Sequence, residues 1–266
     1  MTDKGPDWVE IDSFLLTLPS LSRPLIDRHF RSDFSVEQKA DNSPVTIADK
    51  SVETELRQAI LAAFPHHAII GEEQGGLADR QICWVIDPID GTRAFVIGKP
   101  LFGTLVGVAC DGQPFAGLID MPALNETYLT QDKRSYLIMG ATQSALSVSS
   151  CRELDQAQIA TTSPEAFTTE GLNRFNRLGK ICRSTHYGGD CYNYALLAAG
   201  HLDLVMEHQL ATHDFMALIP VLKGAGAIVT DWSGQPPDLS SDGSLLVAAT
   251  PELHLSLIHI SEPTRP

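Results

Sequence analysis

Apolar and polar positions change period along the chain, and the period assigns the elements. Residues 9–30 carry helical apolar spacing, interrupted near Pro19 and Pro24. Residues 34–37 alternate as a strand does. The stretch DNSPVTIADKSVETELRQAILAAFP opens with turn residues. It then places Val52, Leu56, Ala59, Ile60 and Ala63 on one helical face, and Pro65 ends the helix. HAIIGEEQGG is a short apolar run closing on Gly71, Glu72 and Glu73, with glycines marking the loop beyond. Cys83, Trp84, Val85 and Ile86 make another such run, feeding straight into Asp87, and residues 92–95 read as a short helical segment. FGTLVGVACDGQPFAGLID and NETYLT read as antiparallel strands, the first folding back at Asp111-Gly112.

From about residue 140 helix and strand alternate. Strands are expected at 159–161, 181–184, 202–206 and 227–230. Helices are expected at 165–178, at 190–199 with Gly200 closing it, and at 214–223 with Gly224 closing it. A β-rich first half followed by an α/β half predicts a layered α/β protein with two subdomains, residues 1–140 and 141–255. No internal repeat is evident. The last stretch, SLIHISEPTRP, fits no element, and residues 256–266 read as an appended, non-native tail.

Composition narrows the function without naming it. The 266 residues are 43% hydrophobic and 20% charged, enough for a substantial core. A formal net charge of −14 argues against nucleic acid or an anionic membrane as partner. It leaves phosphorylated substrates open where metal ions supply positive charge. No run approaches the roughly 18 apolar residues of a membrane span, and no apolar signal segment is present. Five scattered cysteines without CxxC spacing read as reduced thiols, and a cytoplasmic location is expected.

The acidic residues change the picture most. Glu72 and Glu73 end one apolar run, Asp87 ends the next, and Asp90 lies in the following turn. If the two runs are neighbouring parallel strands, their carboxyl ends coincide and three or four carboxylates meet. Such groups repel and raise one another's pKa, which a divalent cation relieves. Oxygen-only donors favour Mg²⁺, Mn²⁺ or Ca²⁺ over zinc. Gly91 admits close backbone approach, and free N–H groups at Thr92 offer an anion site. Taken alone, D-P-I-D could equally be an Asx-type turn. The strand before it, the G-E-E run and the Gly-Thr sequel favour metal-assisted phosphoryl transfer to water.

These residues resemble the inositol monophosphatase superfamily of Mg²⁺-dependent, lithium-sensitive phosphatases. Its D-P-[IL]-D-G-T signature stands at residues 87–92, its G-E-E at 71–73, and its threonine-to-aspartate element at Thr46 and Asp49. Its C-terminal W-D motif appears with His213 in place of Trp and Asp214 retained. The motifs occur in family order over about residues 44–232. The resemblance implies a layered α/β/α/β/α sandwich, usually dimeric, and so a homodimer. It implies two to three Mg²⁺ ions, with Mn²⁺ as an alternative. Glu72, Asp87 and the Ile89 carbonyl would bind the first, Asp87, Asp90 and Asp214 the second, and a third would share Glu72. Asp49 and Thr92 would position and help deprotonate the attacking water, and the Gly91 and Thr92 N–H groups would hold phosphate. His213 is expected to alter packing beside a ligand rather than a ligand itself.

The resemblance implies a small phosphomonoester as substrate, and residues 91–120, 161–167 and 188–215 look most like the histidinol-phosphate phosphatase branch. Asp190 opens the DCYNYALLAAG helix where inositol phosphatases carry a small neutral residue. Glu207 ends a strand seven residues before Asp214. Two carboxylates beside the leaving alcohol suit an ammonium or imidazolium better than a neutral polyol. Asp190 reads equally as a helix N-cap, and Arg93 as a substrate contact or a surface ion pair. His66, His67, His186, His201, His208 and His254 have no metal-ligand spacing. The alternative substrates are inositol monophosphate and 3′-phosphoadenosine 5′-phosphate. A reading of another class is a regulatory binding protein with a vestigial metal site, against which every expected ligand position holds an oxygen donor. A calcium-binding structural domain lacks EF-hand spacing.

Overall fold

The computed structural model describes residues 8–32, 36–38 and 44–261. The first layer is helical: α1 (Trp8–Leu15), α2 (Pro19–Asp27) and α3 (Ile47–Ala63). The chain breaks between α1 and α2, whereas Pro24 is accommodated inside α2. A small antiparallel pair, β1 (Val36–Gln38) and β2 (Pro44–Thr46), leads into α3. Of the strand expected at 34–37, Phe34 and Ser35 lie outside the described residues.

The second layer is a seven-stranded sheet. Its strands run in chain order: β3 (Ala68–Gly71), β4 (Ile82–Asp90), β5 (Gly103–Cys110), β6 (Gln113–Met121), β7 (Glu126–Gln131), β8 (Arg134–Met139) and β9 (Thr142–Ala145). Only β3 and β4 pair in parallel, Gly71 opposite Ile86, so their carboxyl ends do coincide. Asp111 and Gly112 both take positive φ (50° and 80°), the left-handed pair that a two-residue hairpin needs between β5 and β6.

Side-chain alternation on β4 explains the layering. Trp84 and Ile86 face α1–α3, joined by Val52, Leu56 and Ile60. Cys83 and Val85 face the opposite way, onto α6 (Cys191–Ala198) and α8 (Leu218–Gly224). Those helices form a middle layer with the short α7 (Thr212–Phe215). Beyond them lies a mixed five-stranded sheet ordered β11-β10-β12-β14-β13. Its strands are β10 (Gln158–Thr161), β11 (Ser184–Tyr187), β12 (Leu204–Glu207), β13 (Ile228–Thr230) and β14 (Leu245–Ala248). Val205 faces the middle helices, while Leu204 and Met206 face a last layer of α5 (Thr169–Ile181) and α9 (Pro251–Ser261).

The expected α/β/α/β/α sandwich is therefore the one observed. Three local readings need correction. The strand expected at 181–184 falls at Ser184–Tyr187, because α5 continues to Ile181 before capping at Cys182. The helix expected at 214–223 is two helices, α7 and α8. Residues 256–261 are not without structure: they continue α9, and Leu257 is completely buried against the five-stranded sheet. Among the described residues no helix is long and apolar enough to cross a membrane. All five cysteines are free thiols.

Candidate active site

The site begins with a bulge. β4 pairs regularly with β5 as far as Asp87, opposite Leu105, and then shifts register so that Asp90 lies opposite Gly103. Pro88 has no N–H for a ladder, so the strand loses no bond by bulging there. Thr104 Oγ1 donates to the Pro88 carbonyl at 2.9 Å, and the Ile89 N–H donates to Asp87 Oδ1 at 3.0 Å. The bulge thus turns two carboxylates three residues apart toward one place. Gly91 follows at φ 81°, a left-handed conformation, and opens the short helix α4 (Thr92–Val96). A Cβ at Gly91 would stand 3.1 Å from the Asp190 carboxyl carbon, so both conformation and space call for glycine.

Neighbouring elements bring further acids to the bulge. At the end of β3 the Glu72 N–H donates to the Ile86 carbonyl at 3.1 Å, so Glu72 extends the parallel register toward Asp87. Asp214 lies in α7, with Oδ2 accepting from the Ala211 N–H at 2.7 Å. Asp87, Asp90 and Asp214 each place a carboxylate oxygen within 4.8 Å of the others; Glu72, Asp87 and His213 form a second such group. Burial, then the charges of Glu72, Asp90 and Asp214, push the Asp87 carboxyl well above the usual range. Asp90 is pushed up likewise, by burial first and then by Asp190 and Asp214.

Helix α3 contributes twice. Thr46 and Asp49 form a capping box: Asp49 Oδ2 accepts from the Thr46 N–H at 2.7 Å and hydroxyl at 2.6 Å. The other Asp49 oxygen lies 3.5 Å from the Thr92 hydroxyl, which donates to the Ile89 carbonyl at 2.9 Å. Burial raises the Asp49 pKa against these bonds. One turn on, fully buried Glu53 accepts from the N–H groups of Glu73 (2.6 Å) and Gln74 (3.1 Å) and from Arg57 Nε (2.8 Å). It clamps the loop carrying Glu72. Gly71 makes room for that clamp, since a Cβ there would sit 2.1 Å from Glu53 Oε1. Sequence reading missed Glu53, although its spacing of four from Asp49 puts both on one helix face.

Beyond the converged acids a cavity of about 480 Å³ opens, lined by Asp90, Arg93, Asp190, Tyr194, Glu207 and Asp214 among others. Asp190 occupies the N-cap position of α6 but makes no capping bond, which removes the cap reading. The Cys191 N–H instead donates to Asp90 Oδ2 at 2.6 Å. Burial raises the Asp190 pKa to about 6, against the pull of Lys99 and Arg93. Glu207, at the end of β12, is raised to about 7 by burial despite bonds from the Thr162 N–H and the Thr161 hydroxyl, 2.5 and 3.0 Å away. Arg93 is exposed at the rim. Sequence reading gave Lys99, Thr161 and Thr162 no role of their own, since only the tertiary fold brings them to Asp190 and Glu207.

His213 departs from expectation. Its Nε2 stands 3.5 Å from Asp214 Oδ1 and 4.0 Å from Glu72 Oε1, so it faces the candidate ligands rather than packing beside one.

Known proteins resemble this chain along nearly its whole length. The family model described as the inositol monophosphatase family matches residues 7–264, and the chain belongs to that family. It is 42% identical over 232 residues to the Arabidopsis thaliana bifunctional phosphatase IMPL2, spanning 85% of this chain and 66% of that protein. It is 35% identical to a histidinol-phosphatase of Mycobacterium tuberculosis, covering 76% of this chain and 79% of that one. An inositol monophosphatase structure from Zymomonas mobilis superposes with a TM-score of 0.87 at 36% identity, covering 97% of this chain and all of that one.

Proposed function

We propose that the protein is a divalent-metal-dependent phosphomonoesterase acting on L-histidinol phosphate, releasing L-histidinol and phosphate. One observation carries the substrate: two carboxylates, half-buried Asp190 and buried Glu207, line the cavity that opens from the converged acids. The relatives named histidinol-phosphatase support the same reading.

The residues present fit metal ions. Asp87, Asp90 and Asp214 crowd together at a cost that bound cations offset, and the oxygen-rich donor set suits Mg²⁺ or Mn²⁺. Glu72, Asp87 and the Ile89 carbonyl would hold one ion, Asp87, Asp90 and Asp214 another, and a third would share Glu72. When bound, such ions polarise the phosphoryl group and acidify water.

The chain's own residues supply position and proton transfer. Thr46 fixes one oxygen of Asp49, leaving the other to face the Thr92 hydroxyl. This Asp49–Thr92 pair orients the attacking water and takes its proton, and the raised pKa of Asp49 improves it as a base. The N–H groups of Gly91 and Thr92 hold the phosphate. Asp190 and Glu207 meet the ammonium or imidazolium of the leaving alcohol, and Arg93 at the rim reaches the same ligand. A cation entering between two carboxylates held near 6 and 7 lowers both pKa values, which favours binding. A neutral polyol offers no such gain.

Phosphate release from histidinol phosphate, inositol 1-phosphate and 3′-phosphoadenosine 5′-phosphate, with and without Mg²⁺, tests the proposal. Mg²⁺-dependent turnover with histidinol phosphate preferred is expected. Preference for inositol phosphate overturns the substrate, and no turnover of any of the three overturns the enzyme.

A further inference from the structure

We infer that His213 supplies an imidazole nitrogen to the cation bound by Glu72 and Asp87, making that site a mixed nitrogen–oxygen one. The inference rests on the metal-dependent reading above and concerns only the donor set of one ion.

The backbone around His213 is fixed on both sides. Asp214 bonds back to the Ala211 N–H at 2.7 Å, and Phe215 is completely buried. His213 is held between them with its side chain 22% exposed. Its Nε2 lies 4.0 Å from Glu72 Oε1 and 3.5 Å from Asp214 Oδ1. Both separations exceed the ordinary hydrogen-bond range of about 2.7–3.2 Å. The separation from Glu72 falls instead in the range set by two donors on one ion, whereas Asp214 belongs to the second cluster. With metal–ligand bonds of about 2.1 Å, donors at right angles lie about 3.0 Å apart and opposite donors about 4.2 Å. An imidazole nitrogen of His213 and one oxygen each of Glu72 and Asp87 meet within 4.8 Å. Among the described residues His213 is the only histidine in such a group.

Chemistry gives the arrangement a consequence. An all-oxygen set suits Mg²⁺, which holds its water tightly, whereas imidazole suits zinc, iron and nickel. His213 therefore tilts this one site toward transition-metal ions. The second cluster, Asp87, Asp90 and Asp214, stays purely carboxylate. The two sites then differ in selectivity although they share Asp87.

Pulsed electron paramagnetic resonance on the full chain, metal-depleted and reloaded with Mn²⁺, reads the donor directly. Nitrogen-14 coupling to bound Mn²⁺ is expected in the wild type and not in His213→Phe. In competition titrations against Mn²⁺, His213→Phe should weaken Zn²⁺ binding at least about tenfold while Mg²⁺ binding changes less than about threefold. Mn²⁺ bound by the wild type without nitrogen coupling overturns the role of His213 and leaves the carboxylate metal site standing. Equal losses of Zn²⁺ and Mg²⁺ in the variant overturn it as well. A wild type that binds no Mn²⁺ overturns the metal-dependent reading itself, and this inference with it.

Discussion

Asp87 and Glu207 are both buried carboxylates at strand ends, one on each sheet, yet their surroundings differ in kind. Asp87 is ringed by other acids, and beyond burial its pKa is raised by Glu72, Asp90 and Asp214. Glu207 accepts bonds from Thr161 and Thr162, and the charge of Asp190 adds to the effect of its burial. In the first, neighbouring acids repel one another; in the second, hydrogen bonds partly satisfy the carboxylate. On the proposed function, crowded acid marks where metal ions belong, and hydrogen-bonded acid marks where an organic cation belongs. The acids come from both sheets and from the helices between them, Asp214 from α7 and Asp190 from the start of α6.

Breaking the crowded side should cost most. Asp87→Asn removes a ligand common to both clusters, and Mg²⁺-dependent phosphate release should fall about a thousandfold or more. Circular dichroism should show the fold unchanged, because the variant also relieves repulsion among Glu72, Asp90 and Asp214. Turnover near that of the wild type would remove Asp87 from the metal site.

The substrate side should give a smaller but selective loss. Asp190→Ala should lower kcat/KM for histidinol phosphate about 10- to 100-fold, the worth of a hydrogen bond to a charged group. Turnover of an uncharged aryl phosphate should change less than about threefold. Equal losses on the two substrates would show that Asp190 supports Gly91 and Asp90 rather than recognising a cation.

The smallest effect concerns stability, and it sharpens the contrast by pH. Glu207 titrates near 7 in the fold, above the ordinary 4.5. The native state therefore holds a proton that the unfolded chain releases. Its contribution is fully present below about 4.5 and is lost as pH rises through about 7. In the metal-free protein, Glu207→Gln should raise Tm by several degrees at pH 8 and by little at pH 5. The same gain at both pH values would show that Glu207 is already ionised throughout.

Much of this was legible along the chain. The D-P-I-D-G-T run, the G-E-E run and Asp214 carry their chemistry in local spacing. The parallel pairing of β3 with β4 was only a condition along the chain, and the register of Gly71 opposite Ile86 decides it. Helix α3 and the β5–β6 hairpin were plain, since periodicity and turn residues act over a few residues. Strand β8 and the edge strand β9 were not seen; β9 is exposed throughout and has no apolar face to betray it. Strand β14 was missed for the opposite reason, being wholly buried with no alternation to read. Residues 256–261 showed no element along the chain, because the cluster that buries Leu257 includes residues of β10, β12 and α5 far away in sequence.

The sequence by itself determined the family, the layered architecture and the set of acids that crowd together, because local spacing encodes each of them. Only the tertiary structure decided what surrounds those acids. It showed Asp190 free of any capping bond, Glu53 clamping the loop that bears Glu72, and His213 turned toward two candidate ligands. The last two are contacts between elements that only the fold brings together. Position along the sequence sets which donors are available, and packing between layers sets which of them can reach the same ion or the same substrate.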